Sequence, residues 1–217
     1  MTGHFSLYLH IPFCLHRCGY CDFNTYAGQA DLIPAYTEAL SQEIAIAAES
    51  AGEKLAAHTV YFGGGTPSLL PPSSFELLLK TIDRNFHLVD PEISLEVNPG
   101  TVSPGLLRDL FSMGFNRISL GVQSFQPDEL RLLERMHDPF DVFRAVGWAR
   151  AAGFANMNLD LMYGLPGQTA EQWSSSLYTA LALKPEHISL YALGIEAGTP
   201  FGHWLRRGLI PEPDEDV

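Results

Sequence analysis

Apolar and polar residues alternate in short runs along this chain, and stretches with helical spacing separate the runs. "SLYLHI" (6–11) puts Leu7, Leu9 and Ile11 on one side and predicts a strand. "LIPAYTEALSQEIAIAAES" (32–50) is rich in Ala, Leu and Glu and predicts a helix, with Asp31 as its cap. The pattern then repeats. A strand at 58–64 ends in glycine, and a helix over 71–86 has Pro72 and Ser73 near its start. A strand at 93–100 runs into a turn, and a helix over 103–114 is closed by Gly114. A strand at 117–125 precedes two helical pieces, about 127–135 and 139–152, the second stopped by Gly153. A strand and turn at 156–167, a helix over 170–183 and a sixth strand at 187–193 complete the series.

Six strands with helices between them predict an α/β fold with a parallel sheet and right-handed crossovers. Two architectures fit: an open doubly wound sheet and a curved partial barrel. In either, ligands sit at the carboxyl ends of the strands. The unusual residues of this chain fall there. Cys14 to Cys21, Gly63 to Pro67, Asn98 to Gly100, Gln123, and Gly164 to Gly167 all follow strands, so they should meet in one site. Residues 1–203 are read as the core domain. The stretch "RRGLIPEPDEDV" (206–217) has two prolines and four acids with little to bury. Residues 204–217 are read as a linker or the start of a missing C-terminal domain.

Composition narrows the class. The chain is 46% hydrophobic and 18% charged, as in an ordinary soluble globular protein. Its net charge of −12 argues against a nucleic-acid backbone as partner, because phosphate contacts need clustered cations. "MTGHFSLYLHIPFC" has no basic leader region, and His10 and Pro12 break its apolar run. No stretch approaches transmembrane length.

The candidate chemistry is concentrated in "CLHRCGYC" (14–21), which holds every cysteine of the chain: Cys14, Cys18 and Cys21. Three clustered thiols do not make a secreted disulfide framework, which points to a reducing, cytoplasmic location. A closed structural zinc site wants four ligands, and His16 within the loop or His10 nearby would have to complete it. Tight thiolate spacing also suits an iron–sulfur cluster. A four-iron cluster held by three cysteines keeps one iron open for a small chelating ligand.

The C-x3-C-x2-C spacing with Tyr20 before the last cysteine resembles the radical S-adenosylmethionine signature. The wider string "YLHIPFCLHRCGYCDFNTY" (8–26) is similar to the oxygen-independent coproporphyrinogen III oxidase family. "YFGGGTPSLL", "LEVNPGT", "RISLGVQSF", "NLDLMYGLPGQT" and "ISLYALGIEAGTPF" agree in order and extend the resemblance over nearly all of 6–201. It implies a partial barrel of six β/α units, a [4Fe–4S] cluster on Cys14, Cys18 and Cys21, and S-adenosylmethionine on the open iron. By resemblance, Tyr8, Gly64 and Glu96 contact that S-adenosylmethionine, and Tyr20 packs near its adenine. Gly65, Thr66, Gln123, Arg135 and Asp160 match positions used for a second S-adenosylmethionine or for substrate.

One position departs from the oxidases, which resemble C-x3-C-x2-C-x-C. Here Phe23 stands where they have the fourth cysteine. This resembles the heme chaperone branch and speaks against decarboxylation of coproporphyrinogen III. The branch implies heme or a porphyrin, a heme-accepting protein and an electron donor as partners. His10, His16 and His137 are the candidate axial ligands. Family chains are longer, with a C-terminal domain that closes the site.

Overall fold

The structure, a computed structural model, describes residues 5–213. The first four residues of the opening stretch and the last four of the acidic tail lie outside the described residues.

Period-two alternation sorts each strand's side chains to two faces, and that sorting builds the fold. Six strands form one parallel sheet: β1 (Phe5–Ile11), β4 (Ala56–Gly64), β5 (His87–Val97), β6 (Arg117–Gln123), β7 (Asn156–Tyr163) and β8 (His187–Ala192). Their order is β1-β4-β5-β6-β7-β8, with β1 and β8 as the two edges, so the sheet is a partial (β/α)6 barrel that does not close. Leu9 and Ile11, Val60 and Phe62, Leu95 and Val97, Ile118 and Leu120, and Leu159 and Leu161 are all buried on the outer face. The alternate positions, among them Tyr61, Glu96, Ser119, Asn158 and Asp160, face inward and are polar.

Helices cover the outer face. These are α1 (Ile33–Ser50), α2 (Pro72–Asn85), α3 (Pro104–Ser112), α4 (Pro127–Leu132), α5 (Pro139–Ala152) and α6 (Ala170–Ala182). Their buried side chains join the strand residues in one core. Phe62, Phe75 and Phe115 anchor it, with ring centroids 5.2–5.7 Å apart. Asp138 with Asp141 and Thr169 with Gln172 form capping boxes on α5 and α6, which fixes where each helix leaves its strand. Gly153 ends α5 at φ 113°, a conformation that favours glycine.

Several boundaries differ from the sequence expectations. Asp31 does not cap α1; it lies in a 3-10 turn (Ala30–Leu32), and Leu32 is the cap position with no side-chain bond. Were Asp31 the cap, Pro34 at the third helical position would have no N–H to offer it, leaving only that of Ile33. The helix expected over 127–135 ends at Leu132, because Glu134 turns left-handed at φ 55°. The strand at 117–125 leaves the sheet after Gln123. β5 begins at His87, six residues before the expected 93, and passes a left-handed Asp90 at φ 43°.

Besides short 3-10 turns, two short strands and a helix went unpredicted. β2 (Phe13–Cys14) pairs in parallel with β3 (Tyr26–Ala27), and α7 (Pro200–Arg206) is capped by Thr199. α7 runs across position 203, and Ile210 beyond it is buried with Leu133, Met162, Leu165 and Phe201 in a second small core.

Candidate functional site

The cysteine loop is a closed unit. β2–β3 pairing ties its two ends together, the Tyr26 N–H donates to the Pro12 carbonyl at 2.7 Å, and the Cys21 N–H donates to the Cys18 carbonyl at 3.0 Å. The glycine run after β4 docks on it: the Gly65 N–H donates to Ile11 O and the Thr66 N–H to Phe13 O, each at 2.8 Å. A Cβ on Gly65 would lie 2.6 Å from Phe13 O and 3.0 Å from Cys14 Sγ, so glycine is required for this approach. Gly64 adopts φ +121°.

A cleft of about 360 Å³ opens at the strand ends. Cys14, Cys18, Cys21, Tyr20, Gly64, Gly65, Thr66, Glu96, Gln123, Arg135 and Asp160 all line it. Tyr8 does not: it is 59% exposed on edge strand β1, where it stacks on Tyr61. The three cysteines are free thiols, each half-buried, and each sulfur has a polar neighbour. The Thr66 hydroxyl donates to Cys14 Sγ at 3.8 Å, Arg135 Nη1 donates to Cys18 Sγ at 3.6 Å, and Thr25 Oγ1 lies 3.8 Å from Cys21 Sγ. Among the described residues no three His, Cys, Asp or Glu side chains converge on one point where a single ion would sit.

Two inward carboxylates face this loop. Glu96 accepts from the Tyr61 hydroxyl at 2.8 Å and the Gly64 N–H at 2.9 Å. Burial nevertheless pushes its carboxyl above the usual range. Asp160 accepts from Ser119 Oγ at 2.9 Å and Asn158 Nδ2 at 2.7 Å, and burial raises it too. Asn158 also donates to Ser119 at 2.6 Å, and its carbonyl oxygen accepts from His187 Nδ1 at 2.6 Å and Ser189 Oγ at 3.2 Å. Sequence reasoning missed this supporting set. Its signal was parity: residues 158 and 160 share the inward face.

Gln123 ends β6 at φ +67°, beside a register shift in the β6–β7 pairing. A non-glycine residue held left-handed at a cleft is strained backbone of the kind that collects at functional sites. Arg135 reaches the cleft from the connector after α4, and its Nη2 donates to Gly121 O at 2.7 Å. Its Nε is buried with no partner.

Two residues of the quoted blocks serve the scaffold instead. Ser124 Oγ donates to buried Glu129 at 2.5 Å, and Gln168 Nε2 donates to the same carboxylate at 3.1 Å. This pair locks the loops after β6 and β7 to α4.

The candidate histidines separate. His10 is held between Tyr8 and the Asn24 carbonyl, and His16 Nε2 lies 3.5 Å from Glu134. His137 is only 4% exposed and its Nε2 lies 3.1 Å from Val122 O, so its ring is closed to a heme iron. Burial first, and then the Arg135 charge, lower its pKa to about 4. The neutral ring donates to Val122 through Nε2, and protonation would place a proton on Nδ1, which has no partner. The folded pKa lies below the unfolded value near 6.5, so this stabilisation is complete above pH 6.5 and falls away as pH drops towards 4. We expect a loss on the order of 3 kcal/mol across that window, read from urea midpoints, and a flatter profile for His137→Asn.

Residues 8–177 match the radical SAM superfamily. The chain is 41% identical to the heme chaperone HemW of Mycobacterium tuberculosis over 222 residues, covering 98% of this chain and 55% of that protein. It is 43% identical to the heme chaperone HemW of Synechocystis over 221 residues, covering 98% of this chain and 53% of that protein. Among solved structures it superposes on the coproporphyrinogen III oxidase HemN of Escherichia coli with a TM-score of 0.87. Identity there is 34%, over 96% of this chain and 48% of that one. The chain thus spans about half the length of these relatives. A cysteine loop on the strand ends of a six-unit parallel sheet and a matching profile over most of the chain agree: it belongs to the radical SAM superfamily.

Proposed function

We propose that this chain is the radical S-adenosylmethionine part of a heme chaperone, which binds heme and passes it to an acceptor protein. The observation that carries the reading is Phe23. It lines the cleft beside the cysteine loop and is 65% exposed, at the position where the oxidases resemble one another in having a fourth cysteine. A phenyl ring offers no ligand. With Met162, Tyr191 and Leu193, which also line the cleft, it adds apolar surface of the kind a porphyrin face needs. The identity to HemW proteins supports the same choice.

Membership of the superfamily implies a [4Fe–4S] cluster and S-adenosylmethionine, and the residues present fit both. Cys14, Cys18 and Cys21 are three unbridged thiols on one cleft, the soft donor set that an iron–sulfur cluster takes. The cradle at Gly65, which any Cβ would fill, leaves bare backbone beside Cys14. In this reading Gly64 and Glu96 bind the S-adenosylmethionine next to the cluster, with Tyr8 steadying Tyr61 and so Glu96 from behind. Tyr20 packs by the adenine. Gly65, Thr66, Gln123, Arg135 and Asp160 form the second cofactor or substrate subsite.

When bound and reduced by an electron donor, the cluster supplies one-electron cleavage of S-adenosylmethionine. The chain's own residues orient the sulfonium, exclude water and hold the carboxylates. The setting is the cytoplasm, where free thiols stay reduced, and no helix among the described residues is long and apolar enough to cross a membrane.

The test is anaerobic reconstitution, followed on one sample by heme titration and by product analysis with coproporphyrinogen III, S-adenosylmethionine and reductant. Saturable heme binding without porphyrin product is expected. Conversion of propionate to vinyl groups would overturn the chaperone reading in favour of the oxidase.

A further inference from the structure

The three cysteine sulfurs are not equivalent. Around Cys14 and Cys21 the polar side chains are neutral hydroxyls: Thr66 lies 3.8 Å from Cys14 Sγ, and Thr25 lies 3.8 Å from Cys21 Sγ and also neighbours Cys14. Cys18, beside the neutral Tyr20 hydroxyl, alone has a cation, the guanidinium of Arg135, whose Nη1 donates to Cys18 Sγ at 3.6 Å. Arg135 and Cys18 are 117 positions apart, so the contact is a product of the fold.

The cation does not depend on the sulfur for its placement. Nη2 is fixed by the Gly121 carbonyl at 2.7 Å, at the carboxyl end of β6. Glu134, just before it, is left-handed at φ 55°. Nε is buried without a partner, so the group has accepted incomplete solvation to stand where it does. A surface charge would not be held this way.

We infer that Arg135 is a tuning residue: its guanidinium, braced by Gly121, raises the reduction potential of a cluster ligated by Cys18, while Thr66 and Thr25 contribute neutral and weaker increments. The inference rests on the assignment of the three cysteines as cluster ligands. The physical basis is charge. Reduction adds one electron, and so one negative charge, to the cluster and its thiolates. Net charge and hydrogen bonds to the sulfurs set the potentials of such clusters. A fixed cation donating to one ligand sulfur stabilises the more negative, reduced form, and a charge-assisted donor is about twice as strong as a neutral one. The balance is simple: one electron enters from a chemical reductant, no bond forms or breaks, and the protein's proton count is unchanged.

The experiment is a redox titration of the reconstituted chain, read by the electron paramagnetic resonance of the reduced cluster, without S-adenosylmethionine. Omitting that cofactor separates tuning from any role of Arg135 in binding it. Iron and sulfide are counted on every sample. Arg135→Gln should lower the potential so that the reduced-to-oxidised ratio at fixed applied potential falls about tenfold, which is 59 mV for one electron. Arg135→Lys keeps the charge but loses the two-armed brace and should fall between that variant and the unchanged protein. Thr66→Val should shift the potential less than Arg135→Gln. Should Arg135→Gln assemble poorly, the lysine variant decides. An unshifted potential in cluster-bearing Arg135→Gln and Arg135→Lys overturns the inference and leaves the cluster assignment standing. Absence of iron and sulfide from the unmodified chain overturns the assignment itself, and the inference with it.

Discussion

Phe201→Ala is expected to cost about 3–5 kcal/mol, the range for truncating a fully buried aromatic side chain, out of a total stability of roughly 5–15 kcal/mol. Phe201 is 0% exposed, packs edge-on to Tyr20 at 6.2 Å and lies 5.3 Å from Trp204. Its N–H donates to the Gly19 carbonyl at 3.0 Å, and its ring crowds Gly19 so closely that a Cβ there would sit 3.0 Å away. It therefore presses the segment between Cys18 and Cys21 against the sheet end. Urea unfolding measures the global cost. Amide exchange at Gly19 to Cys21 should accelerate as well, because the loop loses its cover while its β2–β3 closure remains. Phe201→Leu keeps most of the volume and should cost under about 1.5 kcal/mol. An alanine variant with an unchanged midpoint would show that α7 is packed decoration and not a clamp.

The second large effect is chemical. Cys14→Ser, Cys18→Ser and Cys21→Ser should each strip the oxygen-sensitive brown chromophore from the anaerobically reconstituted chain. Serine presents a neutral, hard hydroxyl where a soft thiolate is needed. The three sulfurs line one cleft and have no disulfide partner, so none can stand in for another. His16→Ala should keep full iron and sulfide, since His16 faces Glu134 and is 42% exposed. A serine variant that retains the full complement would remove its cysteine from the ligand set, and equal loss in His16→Ala would put a histidine into it.

What the sequence made legible, it did through periodicity and spacing. Period-two alternation placed the six long strands, and the odd residues after four of them located the cleft, while Gly164 to Gly167 fall outside its lining. The elements it hid were too short to show a period. Phe13–Cys14 and Tyr26–Ala27 are two-residue strands, and their pairing depends on a loop folding back on itself. Arg135 was ambiguous for a related reason. The resemblance placed it in a subsite, but in an uninterrupted helix to 135 nothing local shows that it will reach Cys18, from which it is 117 positions away, just after the left-handed Glu134. Asn158 and Ser119 were hidden because a polar inward residue on a strand gives no local sign of which carboxylate it will hold.

The order of the sheet also sets a timetable. Each strand pairs with the one made just before it among the six, so the sheet can grow unit by unit as the chain leaves the ribosome. The clamp does not follow that rhythm. Cys21 and Phe201 are 180 residues apart (201 − 21), yet they close the same site. At about 5–20 residues per second, synthesis of that interval takes roughly 9–36 s. For most of it, once Gly65 and Thr66 have docked, the thiol-bearing loop can be seated on a growing sheet without its cover, which makes the nascent chain the stage at which oxidants have freest access to the three cysteines.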